Sequence, residues 1–360
     1  MASVTLKSIA DAIGVSKTTV SNAYNRPDQL TAELRDRVLE AAARLGYSGP
    51  NVVARNLRTG RRNALGLVFT EDLKYVFHDP DTSAFLSGVA ETTASVGTGV
   101  MLLPVPPGTS PSDSAVPHAA VDGYILYSIA ADHPVLDLLQ HRRGPLVVVD
   151  EPDRADIAGF IGIDDLTGAE LAANHLLGLG HRRIGVVTGR LGVEARPGPV
   201  DAERRAGATV RVARNRLEGN LGAIESAGLN PDEIPVWESA GNDPDTGREA
   251  AMGLLSANPE ITGLLCFSDR IAIGACQAAR RIGLKVPRDL SVVGFDDIPR
   301  AATWDPPLTT VSQPLVEKGR LAARMLLDAV DGKRPAREIL PISLVTRSST
   351  AEPSAARSSD

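Results

Sequence analysis

The sequence is poor in cysteine, because only Cys266 and Cys276 occur among its 360 residues. Two cysteines are too few for a disulfide framework or a cysteine-based metal cluster. Both lie in apolar segments, where a small buried side chain is the expected role. The sequence therefore gives no reason to expect a metal or any other cofactor.

Long apolar runs are also missing. No stretch approaches the roughly 20 apolar residues that a helix needs to cross a bilayer. The first residues, MASVTLKSIADAIG, lack the apolar core of a signal peptide. We therefore expect a cytoplasmic protein with no membrane partner. What is present, 43% hydrophobic and 23% charged residues, is typical of a globular protein, and the length suggests two or three domains.

Charge is distributed unevenly along the chain. Residues 1–62 carry ten basic and five acidic side chains, a net charge of +5, which leaves −11 for the other 298 residues. A small basic segment on an acidic body favours a polyanionic partner for the segment alone. Charge by itself is a weak signal, since many solvated helices are equally basic.

The first 46 residues predict three short helices. Residues 6–13 place apolar side chains three and four positions apart, the spacing of an amphipathic helix. Thr5 is placed to cap this helix and Gly14 to end it. Ser16 can cap a second helix over 17–24 only three residues later. A third helix is expected between Thr31 and Gly46.

Two short helices joined by a tight turn, with a third behind them, predict a helix-turn-helix module over residues 1–49. The alternative is a three-helix knob without a ligand, which the basic charge and the hydroxyl-rich second helix disfavour. In such a module the second helix enters the major groove, where Lys can donate to guanine and Asn can pair with adenine. The candidate DNA contacts in this module are Thr5, Ser16, Lys17, Thr18, Thr19, Ser21, Asn22 and Asn25.

The segment 50–62, PNVVARNLRTGRR, predicts a hinge. Pro50 suits the first position of a two-turn helix, which is marginal in isolation. Arg55, Leu57 and Arg58 are its candidate DNA contacts, with Leu57 as an apolar wedge at a minor-groove step. The alternative interpretation is a plain basic linker.

The remaining chain alternates β-branched apolar runs with helical stretches, the pattern of a doubly wound α/β architecture of two subdomains. Ligands in such folds bind beyond the carboxyl ends of strands. Asp269 serves equally well as a helix N-cap and Asp297 as a turn residue. The candidate ligand-binding residues at predicted strand ends are Thr70, Asp150, Asp269, Asp296 and Asp297.

At this point the sequence resembles a known family. The stretches TLKSIADAIGVSKTTVSNAYN, LGYSGPNVVARNLRTGRRNALGLV, GHRRIGVVTG, SVVGFDDI and PPLTTVSQP are similar to those of the lactose/galactose repressor (LacI/GalR) family. The resemblance extends from about Thr5 to Arg347. It implies a periplasmic-binding-protein-like body behind the helix-turn-helix head. It also implies a homodimeric, nucleoid-associated transcription regulator that binds a pseudo-palindromic operator and is controlled by a small ligand.

The resemblance implies roles for particular residues. Arg216 in RLEG matches the family arginine that holds sugar hydroxyls or a carboxylate. Asp296 in GFDD matches an acid that accepts hydroxyl hydrogen bonds, while Asp150 and Thr70 lie where further contacts occur. Ser268 occupies a position where relatives often carry Asn. A guanidinium with carboxylates suits a small polar ligand such as a sugar.

The expected domain limits are 63–164 with 311–338 for the first subdomain, 165–310 with 339–347 for the second, and a disordered tail over 348–360. The tail lacks leucine heptads, so we expect a dimer and no coiled-coil tetramer. The segment 190–214 is rich in Arg, Gly and Pro and predicts a long loop, either solvated or reaching an anionic ligand. Asn22 stands where many relatives carry Arg, so the operator sequence of a relative does not transfer.

Two other function classes compete. An enzyme has little support, because the sequence contains no G-x-S-x-G, H-E-x-x-H or P-loop motif. A solute-binding protein of a transport system would share the body. It would require a signal peptide, however, and would not carry the basic head.

Overall fold

The computed structural model describes residues 4–47, 60–142, 144–154, 157, 159–192 and 194–354. The chain forms two compact units, Met1–Arg62 and Asn63–Asp360. We call the described parts of these units the head, residues 4–47, and the body, residues 63–354.

The head contains the three predicted helices, and a short 3₁₀ turn at Pro27–Gln29 joins the second to the third. Its core consists of small and β-branched side chains, among them Ile9, Val20 and Val38. The helix-turn-helix predicted from the sequence is thereby confirmed. Its helices are α1 (Leu6–Ile13), α2 (Lys17–Asn25) and α3 (Ala32–Arg44).

Hydroxyl side chains begin all three helices of the head. The Thr5 hydroxyl accepts the amide of Ser8, and the Ser16 hydroxyl accepts the amide of Thr19 at 3.0 Å. Thr31 caps α3 in the same way. Gly14 ends α1 with a φ of +69°, a left-handed conformation that favours glycine. Every one of these caps was predicted from local spacing alone.

The body contains two sheets. In the first, all strands are parallel in the order β12-β5-β4-β3-β1-β2. The second has the order β13-β11-β10-β9-β6-β8-β7, with antiparallel strands only at its two edges. The strands are β1 (Ala64–Phe69), β2 (Gly99–Pro104), β3 (Gly123–Tyr127), β4 (Leu146–Val149), β5 (Gly159–Ile163), β6 (Ile184–Thr188), β7 (Gly198–Pro199), β8 (Val236–Glu238), β9 (Gly263–Cys266), β10 (Ser291–Asp296), β11 (Thr309–Ser312), β12 (Arg337–Leu340) and β13 (Ser343–Val345).

Helices cover both faces of each sheet, so the predicted doubly wound α/β class is confirmed. Apolar cores fill the space between each sheet and its helices, and Cys266 and Cys276 lie buried and free within one of them. The helices are α4 (Leu73–His78), α5 (Pro80–Ser95), α6 (Val135–Gln140), α7 (Asp165–Gly178), α8 (Ala202–Ala206), α9 (Arg211–Ser226), α10 (Pro244–Ala257), α11 (Asp269–Arg281), α12 (Pro299–Thr303) and α13 (Leu315–Val330).

Glycine permits the closest helix contact of the first subdomain. A Cβ at Gly88 of α5 would collide with the Val316 carbonyl of α13, and one at Gly319 would collide with the Phe85 carbonyl. The backbones of these two helices therefore approach each other directly. This packing fixes the start of α5, which contributes to the site described below.

The limits between the subdomains differ slightly from those predicted. β11 ends at Ser312 in the second sheet, and β12 ends at Leu340 in the first. The predicted limits 310/311 and 338/339 therefore fall inside strands, and the crossings lie about two residues later. The pairing of the strands determines these positions, and the hydropathy pattern of the sequence does not reveal which strands pair.

The predicted disorder of the tail is wrong for residues 348–354. Ser349 is fully buried, and its hydroxyl donates to the Val292 carbonyl at 2.6 Å and accepts the Thr309 amide at 2.8 Å. The Ala351 carbonyl lies 2.9 Å from Nε2 of His181. The polar composition of this segment suggested a solvated tail, but its hydroxyls and amides bond to the second sheet instead. Residues 355–360 lie outside the described part of the chain.

The segment 190–214 is not a structureless loop. It contains β7 and α8, and α9 begins within it at Arg211. Arg204 forms an ion pair with Glu238 at 2.8 Å, and Arg205 forms one with Asp232 at 2.7 Å. These pairs attach the segment to its own subdomain, which the Gly and Pro content did not indicate.

Candidate DNA-binding and ligand-binding sites

The second helix of the head presents a polar face. Lys17 and Thr18 are exposed, whereas Ser21 and Asn22 are half-buried. The Asn22 amide donates to Oε1 of Gln29 at 3.2 Å. Contact between Asn22 and a base edge would therefore exchange this intramolecular hydrogen bond for one to DNA.

Two other candidate contacts serve first as helix caps. Thr5 and Ser16 hold the first turns of α1 and α2, and the Ser16 hydroxyl lies 2.8 Å from Oγ1 of Thr19. Helix N-termini present free amides to phosphate groups, so this capping role is compatible with phosphate contact. The side chain of Asn25, and Arg55, Leu57 and Arg58, lie outside the described residues, so their predicted roles remain predictions.

The body contains a cavity of about 380 Å³ that residues at the carboxyl ends of strands from both sheets line. Thr70 follows β1, Asp150 follows β4, Asp296 ends β10, and Arg216 reaches the cavity from α9. Four of the seven candidate ligand-binding residues therefore meet at one place. The rule that ligands bind at strand ends located Thr70, Asp150 and Asp296 without knowledge of the strand order, and the family resemblance located Arg216.

Arg216 is held firmly in this cavity. Its side chain is buried, with Nε donating to Asp165 at 2.8 Å and Nη1 donating to the Phe267 carbonyl at 2.7 Å. Nη1 also lies 3.3 Å from Oδ1 of Asp296. The guanidinium stacks 3.6 Å from the ring centroid of Phe295. These contacts orient a buried cation toward the strand ends.

A second polar chain continues from Asp296 to the other subdomain. The Gln313 amide donates to Asp296 at 2.6 Å, and its oxygen accepts from Nζ of Lys318 at the same distance. Lys318, which is 1% exposed, donates to Asp150 at 2.7 Å. Hydrogen bonds therefore link Arg216 in the second subdomain to Asp150 in the first.

Backbone strain concentrates at the same strand ends. Ser128, Asp150 and Asp296 have φ angles of +50°, +65° and +107°. Residues other than glycine rarely adopt this left-handed region, and such strain persists only where the surrounding structure enforces it. All three residues line the cavity, which supports its assignment as a functional site.

Ser268 and Asp269 are not among the residues that line the cavity, so direct ligand contact by either of them stays a prediction. Ser268 is the N-cap of α11, and its hydroxyl accepts the Ile271 amide and donates to Asn242. Oδ2 of Asp269 accepts the Ile298 amide at 2.9 Å. Both side chains are fully buried behind the cavity wall. Asp297 pairs with Arg347 at 2.6 Å and is likewise not a lining residue.

Several lining residues were missed because they lie in loops or at helix starts. Asp79 and Asp81 begin α5, and Asp79 accepts from Nη1 of Arg270 at 2.8 Å. Glu151 follows Asp150 and accepts the backbone amide of Arg211, the first residue of α9, at 2.7 Å. Each of these two bonds joins one subdomain to the other. Sequence spacing carries no signal for such contacts.

Burial shifts the protonation of the cavity acids. Burial raises the pKa of Glu151 to about 7. Burial also raises the pKa of Asp296, although the neighbouring Arg216 lowers it. The pKa of Asp165 is raised for the same reason. The cavity is therefore rich in carboxyl groups that hold their protons more strongly than exposed ones.

Of the arginines in the segment 190–214 that were considered for an anionic ligand, Arg190 lines the cavity and lies 3.8 Å from Glu71. Arg196, Arg204 and Arg205 are not among the lining residues. The guanidinium groups of Arg204 and Arg205 bond to acids of their own subdomain, as described above. Most of this basic segment is thus structural.

Two family models match the chain. Residues 5–51 match the bacterial regulatory proteins of the lacI family, and residues 173–350 match a periplasmic binding protein-like domain. An HTH-type transcriptional regulator of Mycobacterium tuberculosis is 44% identical over 353 residues, which cover 98% of each chain. The protein belongs to the LacI family. It is a DNA-binding transcription regulator, and its curated relatives are regulators rather than enzymes or transport proteins.

Further relatives place this LacI-family protein among characterised regulators. The regulator IpsA of Corynebacterium glutamicum is 40% identical, with 91% of each chain covered. A crystal structure of the lac repressor dimer bound to operator superimposes with a TM-score of 0.79 at 26% identity, covering 97% of this chain and all of the other. A complex of CelR with cellobiose superimposes with a TM-score of 0.69 at 28% identity, over 96% and 99% of the two chains.

No helix in the described part of this LacI-family protein is long and apolar enough to span a membrane.

Proposed function

We propose that this regulator binds a pseudo-palindromic operator as a homodimer, most simply as a repressor. We further propose that a small polar ligand, sugar-like in its hydroxyl groups, binds in the cavity of the body and changes the affinity for DNA. The candidate ligand contacts are Thr70, Asp150, Arg216 and Asp296.

The polar chain across the cavity carries this proposal. It runs from Asp165 through Arg216 and Asp296 to Gln313, and it reaches Asp150 through Lys318. A hydroxyl-bearing ligand can donate to the carboxylates and accept from the guanidinium of this chain. Because the chain spans both subdomains, a ligand that enters it changes the free energy of their relative arrangement.

Ligand control of DNA binding then follows from linkage. A ligand that binds two arrangements of the body with different affinities shifts their populations, and DNA affinity shifts with them. The same linkage produces induction or corepression, depending on which arrangement of the body has the higher affinity for the operator. The lac repressor dimer on its operator and CelR with cellobiose support the two halves of the proposal.

The DNA half is tested by selecting binding sites from random duplex DNA at near-physiological salt. We expect enrichment of a palindrome with half-sites about one helical turn apart. Sedimentation should give a dimer in solution. Failure to enrich a sequence, with and without a pool of sugars, would contradict sequence-specific regulation, and a stable tetramer would contradict the dimer.

The ligand half is tested with Arg216→Lys, which keeps the positive charge but cannot bond Asp165, Phe267 and Asp296 together. We expect operator binding to persist while the response to a ligand found by screening falls at least tenfold. Arg214→Lys is the matched control on the same helix, because the Arg214 side chain is 41% exposed and pairs along the helix with Glu218. Equal ligand responses in both variants would contradict the assignment of Arg216.

The hinge prediction is tested by Leu57→Ala. If Leu57 is a wedge at the site centre, specific binding weakens while binding to random DNA stays nearly unchanged. Equal losses on operator and random DNA would contradict the wedge.

A further inference from the structure

Among the cavity acids that the polar chain above does not use, Asp81 stands out by its burial. Asp81 lies in the first turn of α5 and is 8% exposed. It lines the cavity, and among the described residues its Oδ1 has no hydrogen-bond partner. A buried polar atom without a partner costs free energy unless a ligand or water satisfies it. Because Oδ1 is closed to solvent as well as unpaired, its partner has to be a neighbouring group, while the exposed part of the carboxyl faces the cavity.

Asp81 lies beside Asp296, close enough for the two carboxyl groups to share a hydrogen bond. Such a bond requires a proton on one of them. Asp296 already accepts from Gln313 and Arg216, so it fits the role of the ionised partner. Two buried acids in contact cannot both ionise at low cost, and one proton between them resolves the conflict.

The surroundings of Asp81 keep that proton in place. Asp79 stands two residues before it on the same turn, and Asp269 faces it from α11. Burial together with the charges of Asp296, Asp79 and Asp269 raises the pKa of Asp81 well above its usual value. On the side of Asp296, Nη1 of Arg216 bonds to the carboxylate. An ionised Asp81 would therefore lie close to three other acidic side chains.

We propose that Asp81 is a ligand-contacting residue that shares one proton with Asp296 and accepts a ligand hydroxyl on the part of its carboxyl that faces the cavity. The pair makes the cleft select neutral, hydroxyl-bearing ligands and reject their carboxylated or phosphorylated forms. This inference rests on the proposed function, since it concerns the same cavity. It adds a residue and a rule of selectivity.

The selectivity is tested with matched probes that differ by an anionic group: glucose with glucuronate and glucose 6-phosphate, and ribose with ribose 5-phosphate. Binding to the full-length protein is measured by calorimetry. For each pair that binds, we expect the neutral member to bind at least tenfold more tightly. Tighter binding of an anionic member would overturn the proposal.

Two variants separate the roles of Asp81. Asp81→Asn keeps the donor to Asp296 and an acceptor oxygen, so the affinity for the neutral probe should stay within about threefold. Asp81→Ala removes both groups and should weaken that affinity at least tenfold. Asp137→Asn is the control, because Asp137 is exposed on α6 and does not line the cavity. Unchanged affinity in Asp81→Ala would overturn the ligand contact.

A measurement without ligand tests the shared proton. Because the pKa of Asp81 is raised in the folded protein, the native state loses stability relative to the unfolded chain as pH rises above about 4. We expect the melting temperature of the wild type to fall relative to that of Asp81→Asn as pH rises from 5 to 8. Asp137→Asn should follow the wild type. Parallel pH profiles of wild type and Asp81→Asn would overturn the proposal.

These readouts distinguish two kinds of failure. Absence of an enriched operator would count against the proposed function and leaves the pH profiles of Asp81 unaffected. If no probe binds, the difference between the pH profiles decides whether the pair shares a proton. If probes bind without discrimination by charge, the proposal fails although the ligand site exists.

Discussion

The head and the body differ in how far apart along the chain their decisive contacts lie. In the head, each cap joins residues only three positions apart, such as Ser16 and Thr19. In the ligand cavity, Lys318 bonds to Asp150 across 168 positions and Arg216 to Asp296 across 80. Local sequence patterns therefore predict the structure of the head. The cavity, in contrast, depends on the order of the strands and on where the chain crosses between the subdomains.

The two units also differ in how their stability is built. The head has one small core of seven buried apolar residues, whereas the body has four core clusters on the faces of two sheets. A domain with a small core has a small free energy of unfolding, so the loss of a methyl group or a helix cap removes a large share of its stability. The body instead has buried charges whose removal is costly. The predictions below test this difference.

The largest expected effect is in the body. Lys318→Met removes the cation bonded to Asp150 and Gln313 and leaves a buried carboxylate without its partner. We expect the free energy of unfolding of the body to fall by about 3–5 kcal/mol, measured by chemical denaturation. The control is Lys333→Met, because Lys333 is exposed and pairs with Asp328 at the surface. A loss below about 1 kcal/mol for Lys318→Met would show that the ion pair is not important for the body.

A core substitution in the head should have a smaller effect that stays in the head. Val20 of α2 is fully buried in the core of the head. Val20→Ala removes two methyl groups, and we expect the head to lose about 2 kcal/mol. Head unfolding is followed by proteolysis or NMR, with body unfolding as the internal control. A shift in both units would contradict their independence.

Removal of a helix cap should destabilise the head less than the core substitution does. The Ser16 hydroxyl accepts the Thr19 amide at the start of α2. Ser16→Ala should destabilise the head by about 1 kcal/mol. Thr18→Ala is the matched control on the same turn, where an exposed hydroxyl should contribute to DNA affinity without affecting stability. Equal stability losses in the two variants would contradict the capping role.

The smallest expected effect is a loss of stability of the body at mildly acidic pH. Burial lowers the pKa of His181, whose ring contacts Thr262, Ser291 and the Ala351 carbonyl. The unfolded chain then binds this proton more readily, so the contribution of His181 is complete above pH 6.5 and is lost as pH falls. We expect the body of the wild type to lose stability relative to that of His181→Asn between about pH 6.5 and 5. The first 62 residues contain no histidine and serve as the reference.

The comparison also shows how far sequence reasoning reached into the site. Thr70, Asp150 and Asp296 were found because residues at the ends of parallel strands converge whatever the strand order is. Arg216 was found only through the family resemblance, since it lies in a helix and not at a strand end. Asp81 was missed because an acid in the first turn of a helix is common where no ligand binds. Ser268 and Asp269 were predicted as ligand contacts and lie at the start of α11, because a residue just after a strand can equally begin the next helix.

The sequence by itself determined the three capped helices of the head, the alternation of strands and helices in the body, and the strand-end residues around the cavity. These features depend on contacts within a few residues or on the periodicity of apolar side chains. Only the tertiary structure decided the polar chain from Arg216 to Asp150, the pairing of Asp81 with Asp296, and the burial of Ser349. Each of these features depends on groups that are far apart in the chain. The burial of these groups determines which hydrogen bonds they form and whether they are protonated.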